Sequence, residues 1–315
     1  MFHHVRPTRD PAQPFQPNRG LEITPEFLDS ALATVRRLGF ELVTMDEALR
    51  RLADGGAPFA AITFDDGYRD LVQFALPVLE RHEAPFTAYI ATGFASREAR
   101  LWWMELEEAF LRLDRIEVAE EGLPSPLQSA TPAQKNASFD QLYWALRAKP
   151  EEKLLRVIAG LAARAKVDSA ALLNAFCMDW DEIQTLSRHP LATIGAHTIN
   201  HRMLAKWPHE VARDEMARSK ALIEARIGQP VRHFAYPVGD PTSAGALEFA
   251  LAKEIGFASA VTTRPGMLFD EHRDHPTALP RLSVNGAWQD EGYVEILLSG
   301  APFAIWNRGR RLNVA

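Results

Sequence analysis

The chain has 315 residues, 47% of them hydrophobic, enough for one large domain or two ordinary ones with a sizeable core. Its formal charge of −6 leaves no basic footprint, which argues against nucleic acid or an anionic membrane surface as a partner. A single cysteine, Cys177, excludes an internal disulfide framework and a cysteine-type zinc site.

The opening M-F-H-H-V-R-P lacks the basic segment and apolar core of a signal peptide. No apolar run reaches the ~18 residues that a membrane span needs. The default expectation is a cytoplasmic protein without a transmembrane segment.

Phe2–Val5 is a short apolar opening. Thr24-Pro25 reads as a helix start, with an N-cap followed by proline at the first helical position, and Phe27, Leu28, Leu32, Val35 and Leu38 share one face. Gly39 ends that helix. A strand over 40–44, a short helix over 46–53 and a buried strand over 57–64 follow. Next come a helix over 71–82 and a strand over 86–91.

The rhythm then breaks. Residues 96–178 are rich in Ala, Leu and Glu, with helical periodicity over 101–113, 139–148 and 151–165 and a Pro/Ser/Thr-rich loop around 122–133. This stretch reads as a helical insertion within a single domain spanning 1–315. Trp102-Trp103 inside it serves either helix packing or stacking on a sugar ring.

Alternation resumes with a helix over 181–188, strands at 192–196, 233–236, 258–261 and 278–283, and helices over 210–227, 244–255 and 292–298. Repeated strand–helix units predict a parallel α/β architecture. Seven or eight strands predict a closed or nearly closed (β/α) barrel, with an open doubly wound sheet as the alternative.

The chemically capable residues fall at strand C-terminal ends, where β/α barrels build active sites. T-F-D-D-G-Y-R-D, residues 63–70, places Asp65 and Asp66 side by side where a buried strand gives out. Adjacent carboxylates disfavour each other's ionisation, so the pair calls for a cation or a chemical task. G-A-H-T-I-N-H, residues 195–201, ends another strand, and the four-residue spacing of His197 and His201 brings both rings to one side of a turn.

Two imidazoles and one carboxylate, drawn from Asp66, His197 and His201, form a facial site that suits Zn²⁺ and other divalent first-row ions such as Co²⁺, Ni²⁺ or Mn²⁺. Asp65 is then left over, and a free carboxylate beside a metal site is a candidate general base for water attacking a carbonyl. The bland alternatives are an Asp-Asp-Gly cap and turn, and a solvated histidine pair. Thr198 is expected to fix the histidine loop by hydrogen bonding, and His4 to face away from whatever His3 faces.

With these residues assembled, the chain resembles the polysaccharide deacetylase family, the NodB-homology or carbohydrate esterase family 4 enzymes. T-F-D-D-G matches the family's first motif, in which the first Asp is the base and the second a metal ligand. H-T-I-N-H matches the second, and F-A-Y-P-V-G, residues 234–239, resembles the third in its Tyr-Pro form. F-H-H-V is similar to a Tyr-His-x-Val opening seen in exopolysaccharide-modifying members, and residues 180–186 resemble the helix that precedes the second motif.

The resemblance covers roughly residues 1–94 and 179–300. It implies the distorted (β/α) barrel of that family and a metal-dependent N-deacetylase acting on an amino sugar in a glycan, exopolysaccharide or lipopolysaccharide precursor. It also implies that Tyr236 and Pro237 form the substrate loop, with the Tyr236 amide as an oxyanion donor. Two family features are missing. No Leu-x-His follows Arg281, which leaves His3 as the candidate general acid. Phe234 stands where an Arg usually tunes the base, which leaves Arg281 as the candidate partner of Asp65. Rival readings on the same fold are hydrolysis of a non-sugar cyclic amide or ureide, and an inert glycan-binding module.

Overall fold

A computed structural model describes residues 1–7 and 13–314. In chain order its strands are β1 (His4–Val5), β2 (Glu22–Ile23), β3 (Glu41–Val43), β4 (Phe59–Phe64), β5 (Phe86–Ile90), β6 (Arg115–Ile116), β7 (Leu127–Gln128), β8 (Ala192–Ala196), β9 (His233–Ala235), β10 (Ser259–Pro265) and β11 (Leu279–Arg281). Seven of them form one parallel sheet in the order β11-β10-β9-β8-β5-β4-β3.

That order never reverses. In a doubly wound sheet it would reverse at a switch point, with helices on both faces. Right-handed crossovers between strands laid down in one direction put the helices on one face instead, and the sheet curls. The result is a barrel-like α/β fold, and the doubly wound alternative falls. Among the described residues β3 and β11 do not pair with each other, so the barrel is open at that seam.

Local chemistry sets the elements. Thr24 caps the helix Pro25–Arg37 by accepting from the Phe27 amide, and that helix buries Phe27, Leu28, Ala31, Leu32 and Val35. β5, with neighbours on both sides, is buried at every position, as a central parallel strand requires. The helix expected over 71–82 is instead a π-helical turn, Leu71–Ala75, followed by the α-helix Leu76–Arg81. Pro77 has no N–H to continue the regular ladder, and the Leu76 amide donates back to Leu71 O in the wider repeat.

β1 pairs in parallel with β2, an element the sequence pattern is too short to reveal. Just before it, the Phe2 amide donates to Thr63 O at 2.9 Å, and the Asp65 amide donates to Phe2 O at 3.1 Å. Residues 2–5 therefore run beside the end of β4, which brings His3 to the Asp65-Asp66 corner.

Contacts group the chain into two compact units. The first holds the sheet: residues 1–7, 21–99 and 176–314. The second comprises the described residues 13–20 and 100–175, and residues 96–99 and 176–178 group with the sheet. In the second unit the helices Trp102–Arg112, Pro132–Arg147 and Glu151–Arg164, and Ser169–Phe176 up to residue 175, accompany the antiparallel pair β6–β7. The helix expected from 139 begins seven residues earlier because Thr131 and Gln134 form a capping box ahead of it. Phe15, Phe110 and Phe139 form an aromatic core there. Trp102 and Trp103 are buried in the same unit, with Trp102 stacked on Tyr143, so they pack rather than present a face to sugar. No helix of the described residues is long and apolar enough to cross a membrane.

Candidate active site

The site is built from loops at the C-terminal ends of β4, β8 and β11 and from residues 2–5. After β4 the chain turns sharply, with Asp66 at φ 73 and Gly67 at φ 76. Gly67 suits that left-handed position, and a Cβ on it would press on Ile90 Cδ1 at 3.2 Å. After β8 the second turn puts Thr198 at φ 62 and His201 at φ 54. The preceding Gly195 is required by space: a Cβ there would sit 2.4 Å from the Tyr89 ring.

These turns bring Asp66, His197 and His201 together, all buried, with one ligand-capable atom of each within 4.8 Å of the others. Asp66 Oδ1 lies 3.2 Å from His197 Nε2 and 3.2 Å from His201 Nε2. His197 Nδ1 lies 2.7 Å from Ala235 O, and a carbonyl can only accept, so the ring proton is on Nδ1. In the neutral ring the Nε2 lone pair then faces a carboxylate oxygen. Two acceptors at that distance repel unless a cation lies between them. Asp66 Oδ1 is buried and makes no hydrogen bond among the described residues. A histidine that donates Nδ1–H to a carbonyl and presents Nε2 beside a second imidazole and a carboxylate is a metal ligand set with its outer support in place. The donor set fits a divalent first-row ion.

Asp65 has a different environment. Arg281 Nη1 donates to its Oδ1 at 2.7 Å and Nη2 to its Oδ2 at 2.6 Å, a bidentate pair in which both residues are buried. The guanidinium is fixed in turn by Thr262 O at 2.7 Å and Thr63 Oγ1 at 3.2 Å. Burial alone would raise the Asp65 pKa, but the Arg281 charge and hydrogen bonds outweigh it and hold the carboxyl below its ordinary value. Phe234 packs in the core against Tyr236 and Phe257. The cation beside Asp65 thus comes from β11, while Phe234 on β9 is apolar.

His3 lies within electrostatic reach of both carboxylates. Burial lowers its pKa, while Asp66 and Asp65 act in the opposite direction. His4 turns the other way: its Nδ1 lies 2.5 Å from Asp70 Oδ2, and its ring stacks on Tyr68 with centroids 3.5 Å apart. Asp70 also accepts from the Val5 amide at 3.3 Å. Asp70 is thus a site-supporting residue that the sequence reading passed over, although it stands in the same T-F-D-D-G-Y-R-D run.

Two expectations are corrected. The Tyr236 amide donates to Val261 O at 3.1 Å within the sheet, and its hydroxyl donates to Thr277 O at 2.8 Å, so the amide is not free to serve as an oxyanion donor. Pro237 follows it directly but has no N–H to offer in its place. Thr198 Oγ1 is buried without a hydrogen-bond partner among the described residues, so its hydroxyl does not fix the histidine loop. An apolar cavity of about 390 Å³ inside the open seam reaches Thr63 and Arg281 but is lined by none of the three candidate ligands.

Residues 53–258, more than half of the chain, match the family described as polysaccharide deacetylase. The chain belongs to the polysaccharide deacetylase family. It is accordingly a hydrolase, and the matched span holds Asp65, Asp66, His197 and His201 while leaving His3 and Arg281 outside. No curated protein matches it significantly. Among solved structures the family member is similar to the Streptococcus pyogenes deacetylase PplD in complex with acetate, at 16% identity and TM-score 0.62, covering 95% of each chain. It is also similar to IcaB from Ammonifex degensii, at 18% identity and TM-score 0.55 over 91% of this chain and 94% of that one. A third is a de-N-acetylase from Aggregatibacter actinomycetemcomitans, at 13% identity and TM-score 0.58 over 94% and 97%. At these identities the likeness is one of fold, and it extends over nearly the whole length of each.

Proposed function

We propose that this family member removes the N-acetyl group of an amino sugar in a glycan, exopolysaccharide or lipopolysaccharide precursor, with a divalent ion held by Asp66, His197 and His201. The observation that carries the reading is Asp66 Oδ1 facing two imidazole Nε2 atoms at 3.2 Å, buried and without a hydrogen-bond partner among the described residues. That set favours Zn²⁺, with Co²⁺, Ni²⁺ and Mn²⁺ acceptable to the same ligands. The ion supplies Lewis acidity toward an acetamide carbonyl and toward water.

The chain's own groups do the rest. Asp65, held ionised by Arg281, accepts the proton of the attacking water. Each of its oxygens keeps a second lone pair after accepting from the guanidinium. His3 protonates the departing amine nitrogen, because it lies within electrostatic reach of both carboxylates, whose charges favour its imidazolium form against the effect of burial. Arg281 positions and charges Asp65 without touching substrate. That one structural relative is a de-N-acetylase and another was determined with acetate supports the choice of an acetyl group.

The test is acetate release from N-acetylated glycans and, in parallel, from cyclic amides. We expect release from a glycan, loss on treatment with a chelator, and recovery on adding Zn²⁺ or Co²⁺. Metal-loaded protein that frees no acetate from any N-acetylated sugar would overturn the proposal.

A further inference from the structure

The histidine loop poses a mechanical problem. It must hold two ligand rings on one point while two of its residues, Thr198 and His201, occupy left-handed backbone that side chains other than glycine adopt reluctantly. His197 is anchored twice, by its amide to Ile90 O at 3.0 Å and by its ring to Ala235 O. The carbonyls of Thr198 and Ile199 are taken by the Thr92 and Gly93 amides at 3.1 and 2.8 Å. The loop's own amides, before His201, need another partner, and the Thr198 hydroxyl makes no bond.

That partner is Glu215, on the helix His209–Ile227. Its Oε2 accepts from the Ile199 amide at 2.9 Å and the Asn200 amide at 2.8 Å, and its Oε1 accepts from Asn200 Nδ2 at 2.6 Å. Arg202 Nε lies 3.0 Å from the same Oε1, with its guanidinium 3.8 Å over the Trp207 ring. Glu215 is 4% exposed. A carboxylate is costly to bury unless donors and an opposite charge surround it; here the donors come from Ile199 and Asn200, just before His201, and the charge from Arg202, just after it.

We propose that Glu215 is the positioning residue of the metal site, clamping residues 199–202 so that His201 Nε2 meets Asp66. It does not touch ion or substrate. It acts through the loop and bears more on His201 than on the doubly anchored His197. The inference rests on the metal-binding reading above.

The experiment measures divalent-ion affinity of the full chain by competition with a chromophoric chelator, together with the visible absorption of the Co²⁺-substituted protein. Glu215→Gln keeps the shape but replaces the acceptor Oε2 or Oε1 with a donor amide. We expect a 10- to 100-fold weaker affinity, about the effect of losing outer support to a ligand, and a changed Co²⁺ spectrum. Glu215→Asp restores the charge on a shorter arm and should recover part of both. Asn200→Ala, which deletes one of the contacts, should give a smaller loss and guards against a Glu215→Gln variant that does not fold. Thermal unfolding of chelator-treated protein reports the fold without the ion. If Glu215→Gln lowers that midpoint but leaves affinity and spectrum as in the wild type, the residue is merely structural and the proposal fails. If Glu215→Gln is insoluble and Asn200→Ala has wild-type affinity and spectrum, it fails as well. Wild-type protein that binds no divalent ion overturns the metal-binding reading itself, and this inference with it.

Discussion

Asp65 and Asp66 are neighbours in sequence and both are buried, yet they face opposite surroundings. On the arginine side, Asp65 receives a bidentate guanidinium that arrives from β11, far along the chain. On the histidine side, Asp66 Oδ1 faces two ring nitrogens, and one of those rings has its Nδ1 proton committed elsewhere. The difference teaches how a chain separates two like carboxylates. It supplies one with a fixed internal cation and leaves the other a gap that an external cation fits.

If that division is right, the two carboxylates fail in different ways when neutralised. Asp66→Asn should abolish both ion binding and turnover. Asp65→Asn should retain the ion while kcat falls on the order of 10²–10⁴-fold, the scale of a lost general base. Metal content by elemental analysis beside initial rates separates the two outcomes. Equal metal loss in both variants would erase the distinction.

The arginine side can be broken alone. Arg281→Ala leaves the Asp65 charge buried without its partner, a class of change that costs about 3–5 kcal/mol of stability. With Arg281 gone, burial is no longer outweighed and the Asp65 pKa rises. A base works only when ionised, so the acid limb of the rate profile should move to higher pH. Arg281→Lys should fall between, since a single ammonium cannot reproduce two parallel hydrogen bonds. An acid limb that stays in place in both variants would show that Asp65 does not set it.

The smallest effect belongs to the support behind His3. Asp70→Asn weakens the bond to the His4 ring and the contact with the Val5 amide, and so loosens the segment that carries His3. A hydrogen bond to a charged group contributes about 1.5–3 kcal/mol, part of which the amide retains. We expect roughly a tenfold lower kcat with ion affinity unchanged, read from steady-state rates and chelator competition. A fall in ion affinity instead would place Asp70 on the histidine side.

Much of the fold is legible in the sequence because its signals are local. Thr24-Pro25 caps a helix, apolar runs of four to six residues mark parallel strands, and the 3.6-residue stripe of 25–37 finds its buried face. The boundaries that differ do so for reasons in the same residues: Pro77 widens a helical turn, and the Thr131–Gln134 capping box starts a helix early. β1 and β2, two residues each, exist only because they pair with each other and carry no periodicity of their own.

By itself, then, the sequence determines which residues can do chemistry and that they stand at strand ends, because T-F-D-D-G and H-T-I-N-H are contiguous motifs. Tertiary structure decides what each can do. Sheet register takes the Tyr236 amide for Val261, removing it from the chemistry. A carbonyl on β9 sets the His197 tautomer, and a glutamate on a following helix, not the Thr198 hydroxyl, takes the amides of the histidine loop. These are hydrogen bonds between residues distant in the chain, with directions fixed by packing, and no local pattern encodes where a distant donor will point.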